Sequence, residues 1–313
     1  MTAIADKANR LDSVPAEFYE QLRDFEPELL RKINSELTKL DVKDDRIKPT
    51  SKNLNIVNSI LLQIRSFMSK SEYIDIVKAF GREFDTQAKL TKTLFEEEIG
   101  EFKSSPATLS GLESSKELTL LLLVGDSLNK PLFSQIKTLL DNSVSQNGLT
   151  VDLFGSMEVL ITGSGERLGA LSNYTTVNNN IRDQFSTSDR EFTQQSANLQ
   201  NIQWYLYAGG SVADTRAFCA ARNGKYFHKT EVELWVTSQQ RGLGNPAPST
   251  KWQGQRPLTT SSTIFTLCGG YNCNHSLMPV SIFKVPKDVI QRNINNGNFT
   301  PTSAEIEQLG LAA

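Results

Sequence analysis

Charge imbalance is the first thing missing. Lys plus Arg number 33 and Asp plus Glu 35 in 313 residues, a net charge of −2. A near-neutral chain is not built to coat nucleic acid by charge alone, although a local basic patch remains compatible with it. Long apolar runs are also missing. The longest, Leu118 to Val124, stops at Gly125 and Asp126, far short of the ~20 residues that cross a bilayer. No membrane role is expected. Residues 1–10 lack the apolar centre of a secretory signal, so the chain reads as a soluble product of a cytoplasm. Apolar residues are scarce at 38%, and neutral polar residues fill the gap. Cysteine is limited to three and histidine to two. An odd cysteine count argues against a secreted disulfide framework.

What is present is unevenly placed. Cys219, Cys268, Cys273, His228 and His275 all fall within residues 219–275, and neither residue type occurs elsewhere. The first half is helical in pattern instead. Phe18, Leu22, Phe25, Leu29, Ile33, Leu37 and Leu40 recur at spacings of three and four, one apolar stripe of a long helix that begins near Pro15. Pro27 is placed to kink it. Leu54, Val57, Leu61, Ile64 and Met68 form a second stripe after Pro49, and Tyr73, Val77, Phe80, Phe84 and Ala88 a third. Such one-sided helices pack on each other or on a partner.

Residues 104–115 read as a Ser/Pro/Gly connector, followed by helices over 116–123 and 131–144. Residues 148–161 fit strand or helix. Residues 175–199 read as a polar helix with Val177, Ile181, Phe185 and Phe192 inward. The aromatic run Ile202 to Tyr207 is a strand ended by Gly209-Gly210. A short helix over 230–235, a long Gly/Pro loop over 239–260, a strand over 277–285, a helix over 286–294 and an extended tail complete the reading. The fold class is α+β: a helical partner-docking region over 1–160, a smaller α+β domain over 161–290 with its Cys/His cluster, and a tail over 291–313.

The chemistry concentrates in Asp214-Thr-Arg-Ala-Phe-Cys219 and Cys273-Asn-His275. On extended backbone, residues two apart project from one face, which pairs Cys273 with His275. With Cys219 from a separate turn they offer three of the four ligands of a structural Zn²⁺. Cys268 and His228 are the candidates for the fourth, with Asp214 behind them. The plainer alternative is three reduced thiols packed as small apolar groups. A Cys219–Cys273 disulfide and a catalytic Cys–His pair are further readings. Arg216 and Arg222 flank Cys219 and suit an anion, or an internal ion pair with Asp214, Glu231 or Glu233.

Several of these pieces occur in a telling order: Trp204-Tyr-Leu-Tyr-Ala-Gly-Gly210, Asp214-x-Arg216-x-x-Cys219, Asn223-Gly-Lys-Tyr-Phe227, and Gly270-Tyr-Asn-Cys-Asn-His275 before Leu277-Met-Pro-Val280. Over residues 165–285 this resembles the Mu F-like head morphogenesis family, minor head proteins of tailed bacteriophages. Asn274 stands where that family commonly has Arg, and Ala217 where it often has Pro. Some members carry a Cys-x-x-Cys where this chain has Cys219 alone. The resemblance implies a non-enzymatic structural role in building the capsid near the portal. It implies association with the portal protein or major capsid protein, several copies per virion, packaged DNA as a further candidate partner, and a path from host cytoplasm to virion. The rival expectation from the thiols is a Cys-dependent hydrolase or nuclease acting during packaging or entry.

Overall fold

The computed structural model describes residues 2–124, 126–175, 180–210, 215–237 and 251–311. The side chains of 126–130 are likewise left aside, and Val177 and Asp214 lie outside the described residues. Thirteen helices and seven short strands follow one another among the described residues. The first half runs α1 (Ala3–Leu37), β1 (Val42–Lys43), β2 (Arg46–Ile47), α2 (Ser51–Met68), α3 (Glu72–Glu98), α4 (Pro106–Val124), α5 (Asp126–Ser145) and α6 (Thr150–Thr162). Then come β3 (Gly163–Ser164), β4 (Arg167–Leu168), α7 (Ala170–Asn173), α8 (Ile181–Leu199), β5 (Trp204–Ala208), α9 (Ala217–Ala220), β6 (Lys225–His228) and α10 (Lys229–Leu234). The chain closes with α11 (Ile264–Leu267), β7 (Ser276–Pro279), a 3-10 turn (Ile282–Lys284), α12 (Lys287–Asn295) and α13 (Ser303–Leu309). The class is α+β. The chain folds as two compact units, each assembled from separated segments.

One unit comprises Val14–Glu83 and Lys116–Ile181. Its core includes the predicted stripe, buried throughout, with Phe18 to Leu37 on α1 and Leu40 just beyond the helix end. The helix starts well before Pro15 and runs through both Pro15 and Pro27. Each proline removes one backbone hydrogen bond, and burial of Phe18, Leu22, Phe25 and Leu29 on either side offsets that loss. On α2 the buried positions are Val57, Ile60, Ile64 and Met68, so Ile60 replaces the expected Leu61 and Leu54 is exposed. Asn53 explains how the β1–β2 hairpin seats on α2. Its side chain accepts from Asp41 N at 2.8 Å and donates to the carbonyls of Asp41 and Lys48. Asp44 and Asp45 turn that hairpin with positive φ, as a two-residue turn requires. Residues 150–162 are helical, with Leu153, Met157 and Ile161 inward.

The other unit comprises Met1–Ser13, Phe84–Ser115 and Arg182–Ala313. Residues 106–115, expected as connector, belong to α4. Pro106 sits in its first turn, where its missing N–H costs nothing, and Ser105 Oγ accepts from Thr108 N at 3.1 Å. A three-stranded antiparallel sheet, ordered β6-β5-β7, centres on β5. Successive side chains of β5 alternate in direction. Tyr205 and Tyr207 enter a core with Phe218, Phe227, Trp235, Trp252 and the three cysteines. Trp204 enters a second core with Val280, Val285, Ile290 and Leu309. The strand expected over 277–285 is shorter, because Pro279 cannot donate to a further ladder and the chain turns into the 3-10 segment. The expected extended tail is helical over Ser303–Leu309. A capping box between Thr302 and Glu305 starts that helix, and Leu309 is buried.

Candidate metal centre

Three chain segments converge at the C-terminal end of β5. Tyr207 comes from the central strand, Cys219 from α9, and Cys273 with His275 from the loop entering β7. Cys219 Sγ and Cys273 Sγ lie 3.6 Å apart, and Cys273 Sγ lies 3.9 Å from His275 Nδ1. The ligand atoms of Cys219, Cys273 and His275 are all within 4.8 Å of one another, and all three residues are buried. The group could hold a metal ion. Cys273 and His275, two residues apart, lie to one side as expected.

Glycine makes the packing possible. A Cβ on Gly269 would stand 2.0 Å from Cys273 Sγ and 3.1 Å from Tyr207 Oη, and one on Gly209 would stand 2.6 Å from His275 Cα. Both contacts lie inside van der Waals limits, so these two positions admit no side chain without movement of the site.

Arg190 of α8 holds the ligand loop. Arg190 is 1% exposed. Nε donates to His275 O at 3.0 Å, Nη1 to Thr266 O at 3.4 Å, and Nη2 to Cys273 O. Asp183, about two helical turns earlier, accepts from Asn272 N at 2.6 Å and pairs with Arg256 at 3.1 Å. Asn274 Nδ2 donates to Asp12 Oδ1 at 2.6 Å. Tyr207 Oη donates to Cys219 Sγ at 3.4 Å, and its ring stacks on His275 with centroids 5.3 Å apart.

The two close thiols divide their proton unequally. The hydrogen bond from Cys219 pulls the Cys273 thiol well below its ordinary range, with His275 and Arg190 acting in the same direction against burial. Cys219 is raised correspondingly, first by that hydrogen bond and then by burial. Of the two, Cys273 is the one shifted toward the thiolate, the form that binds metal. Burial, then the neighbouring thiols, push the Tyr207 phenol well above its ordinary range.

The two residues proposed from sequence as fourth ligand do not join the group. Cys268 is fully buried, but its thiol faces the carbonyls of Phe265 and His275, and burial pushes it up to about 12. His228 is a helix cap: its Nδ1 accepts from Thr230 N at 3.3 Å, and Glu231 accepts from His228 N. Its ring packs on Trp204 and Phe299, on the face of β5 opposite Tyr207. Pairing Trp204 with His228 at the far end of the β5–β6 ladder puts it there.

The two flanking arginines separate as well. Arg216 donates to Gly269 O at 3.1 Å. Arg222 is buried over the Phe218 and Trp235 rings, 3.9 and 4.8 Å from their centroids. Glu231 pairs with Arg292, not with Arg222. Burial draws Arg222 down to about 10.

A polar cleft of about 400 Å³ opens beside the cluster, lined by Asp12, Arg182, Arg216, Cys219, Cys273 and His275 among others. Sequence reading missed Tyr207 and Arg190. Tyr207 looked like one more strand aromatic, and Arg190 one more charge on a polar helix. No family model, curated protein or solved structure matches this chain.

Proposed function

We propose that this chain is a structural minor head protein of a tailed bacteriophage, with a Zn²⁺ fastening the sheet-bearing unit through Cys219, Cys273 and His275. The observation that carries the reading is the convergence of the separated motif pieces on one structure. Cys219 meets Cys273, Arg216 bonds Gly269 O, Gly224 N bonds Tyr207 O at 2.8 Å, and Asn223 reaches Gly209 O at 3.3 Å. The residues that carry the Mu F-like resemblance thus lie together around the end of β5, which supports the reading.

The donor geometry suits zinc. Two thiolates at zinc-bond length and tetrahedral angle lie about 3.8 Å apart, and a thiolate and an imidazole nitrogen about 3.6 Å. The observed 3.6 and 3.9 Å need only small adjustment. A bound zinc would tie α9 to the β7 loop, in place of a disulfide.

In this reading the chain assembles in the host cytoplasm and enters the virion in several copies. It contacts the portal or major capsid protein, with packaged DNA within reach, and performs no catalysis. Cross-linking mass spectrometry on purified particles tests it. Links from the exposed Lys39, Lys52 or Lys70 to portal or capsid subunits are expected. Particles that contain no peptide of this chain would overturn it.

One observation favours a second reading, a thiol-dependent hydrolase: Cys273 borders the cleft. Alkylation of the protein as purified separates the two. Zinc-bound thiolates react slowly until a chelator is added, whereas a catalytic Cys273 reacts fast without one.

A further inference from the structure

We propose that Tyr207 is the fourth ligand of this metal centre, binding as phenolate from the buried side of the cluster. The inference rests on the zinc reading above and deepens it.

The first argument is geometric. Tyr207 Oη lies 3.4 Å from Cys219 Sγ and 3.8 Å from Cys273 Sγ. A phenolate oxygen and a thiolate on one tetrahedral zinc lie about 3.6 Å apart, given metal–oxygen and metal–sulfur bonds of ~2.1 and ~2.3 Å. The phenol oxygen thus stands at the edge length of such a tetrahedron from both sulfurs. The two sequence candidates for the fourth vertex, Cys268 and His228, are directed elsewhere.

The second argument is charge. Zn²⁺ with two thiolates and a neutral imidazole carries no net charge. Arg190 is buried beside it, and among the described residues no carboxylate stands within ion-pair distance of its guanidinium. Asp183, a carboxylate that acts on Arg190 electrostatically, is itself paired with Arg256. Buried charges are normally compensated. A phenolate at the fourth vertex makes the centre singly negative and supplies the counter-charge to Arg190.

The third argument is the room left for the ligand. Gly269, at φ +72°, lies against both Cys273 Sγ and Tyr207 Oη, where a Cβ would intrude on each. The Tyr207 ring is fixed by stacking on His275 and by edge contacts with Phe218 and Trp235, so the oxygen is held in place before metal arrives. On binding, a zinc–oxygen bond forms and the phenol proton passes to solvent, as the thiol protons do.

The experiment is a zinc titration of the chelator-treated full-length chain, compared with Tyr207→Phe. Three readouts are followed: zinc stoichiometry and affinity against a competing chelator, protons released in weak buffer, and the tyrosinate difference spectrum in the near ultraviolet. The wild type should bind one zinc with a tyrosinate signal. Tyr207→Phe should lose that signal, release one proton fewer and bind zinc more than about tenfold more weakly. Circular dichroism matched to wild type checks that the variant folds, and if it does not, absence of a tyrosinate signal in wild type alone refutes the proposal. Stoichiometric zinc without the signal would mean solvent from the cleft takes the fourth place, overturning this inference and leaving the zinc reading intact. A wild-type chain that binds no zinc would overturn both.

Discussion

Gly269→Ala is the sharpest perturbation available, because one methyl group addresses backbone and site together. Gly269 has φ +72°, and its added Cβ would stand 2.0 Å from Cys273 Sγ and 2.8 Å from Cys273 Cβ. The left-handed backbone costs a non-glycine residue about 1–2 kcal/mol. Forcing a methyl into a filled core costs a further ~1–3 kcal/mol, for a total of roughly 2–5 kcal/mol. Gly224→Ala is the control. Gly224 has φ +73° but nothing within 4 Å of the added Cβ, so it carries the backbone cost alone. The difference between the two variants, about 1–3 kcal/mol, isolates the clash with the thiol. Thermal unfolding of the chelator-treated proteins reads it out, at about 2–4 °C per kcal/mol for a unit of this size class. Gly269→Ala should melt several degrees below Gly224→Ala. Adding Cys273→Ala to Gly269→Ala should recover part of that difference. If the two glycine variants melt together, the packing of Gly269 against Cys273 is not what constrains the loop, and the description of the site is wrong.

Two further predictions concern the same unit. Lys7 is buried against Asp189 and bonds Thr91 Oγ1 at 2.7 Å. Lys7→Met should therefore cost about 3–5 kcal/mol by stranding the Asp189 charge, while Lys7→Met with Asp189→Leu should recover most of it. Urea unfolding of the two variants checks this, and a double variant less stable than Lys7→Met would contradict it. His228 is held below its ordinary pKa by burial, against the opposing pull of Glu231. A depressed histidine favours the neutral folded form, so its contribution is complete above the unfolded value of about 6.5 and is lost as pH falls from there through the folded value. Melting of the metal-free chain should decline below about pH 6.5, and His228→Asn, which keeps a capping side chain, should flatten that decline. An unchanged slope in the variant would remove His228 as its source.

How much of this was legible beforehand depends on the range of the interaction. The α1 stripe from Phe18 to Leu37 was read correctly because burial on a helix repeats every three to four residues, while Leu40 is buried from the turn beyond the helix end. The β5 strand was equally visible from its aromatic run. Residues 106–115 misled because Ser, Pro and Gly suggest a connector, whereas Ser105-Pro106 is a helix start. Pro15 suggested a beginning and proved to be interior, since buried neighbours outweigh one missing bond. The tail beyond Asn295 gave no periodic signal over so short a helix, and its capping box at Thr302 and Glu305 was the clue to weigh.

The candidate centre shows the same division. That cysteine and histidine concentrate between residues 219 and 275, and that Cys273 and His275 share a side, follow from composition and backbone period alone. Which cysteine and which histidine are absent from the group does not. His228 pairs with Trp204 at one end of the ladder while Tyr207 stands at the other. Cys268 is five residues from Cys273 yet turns to backbone carbonyls. Arg190 and Tyr207 reach the site from a helix and a strand distant in sequence. Local pattern determined the helices, the strands and the supply of ligands. Strand register, the direction of each buried side chain and the pairing of buried charge were decided only in the tertiary structure, because those depend on neighbours that the chain brings together across more than fifty residues.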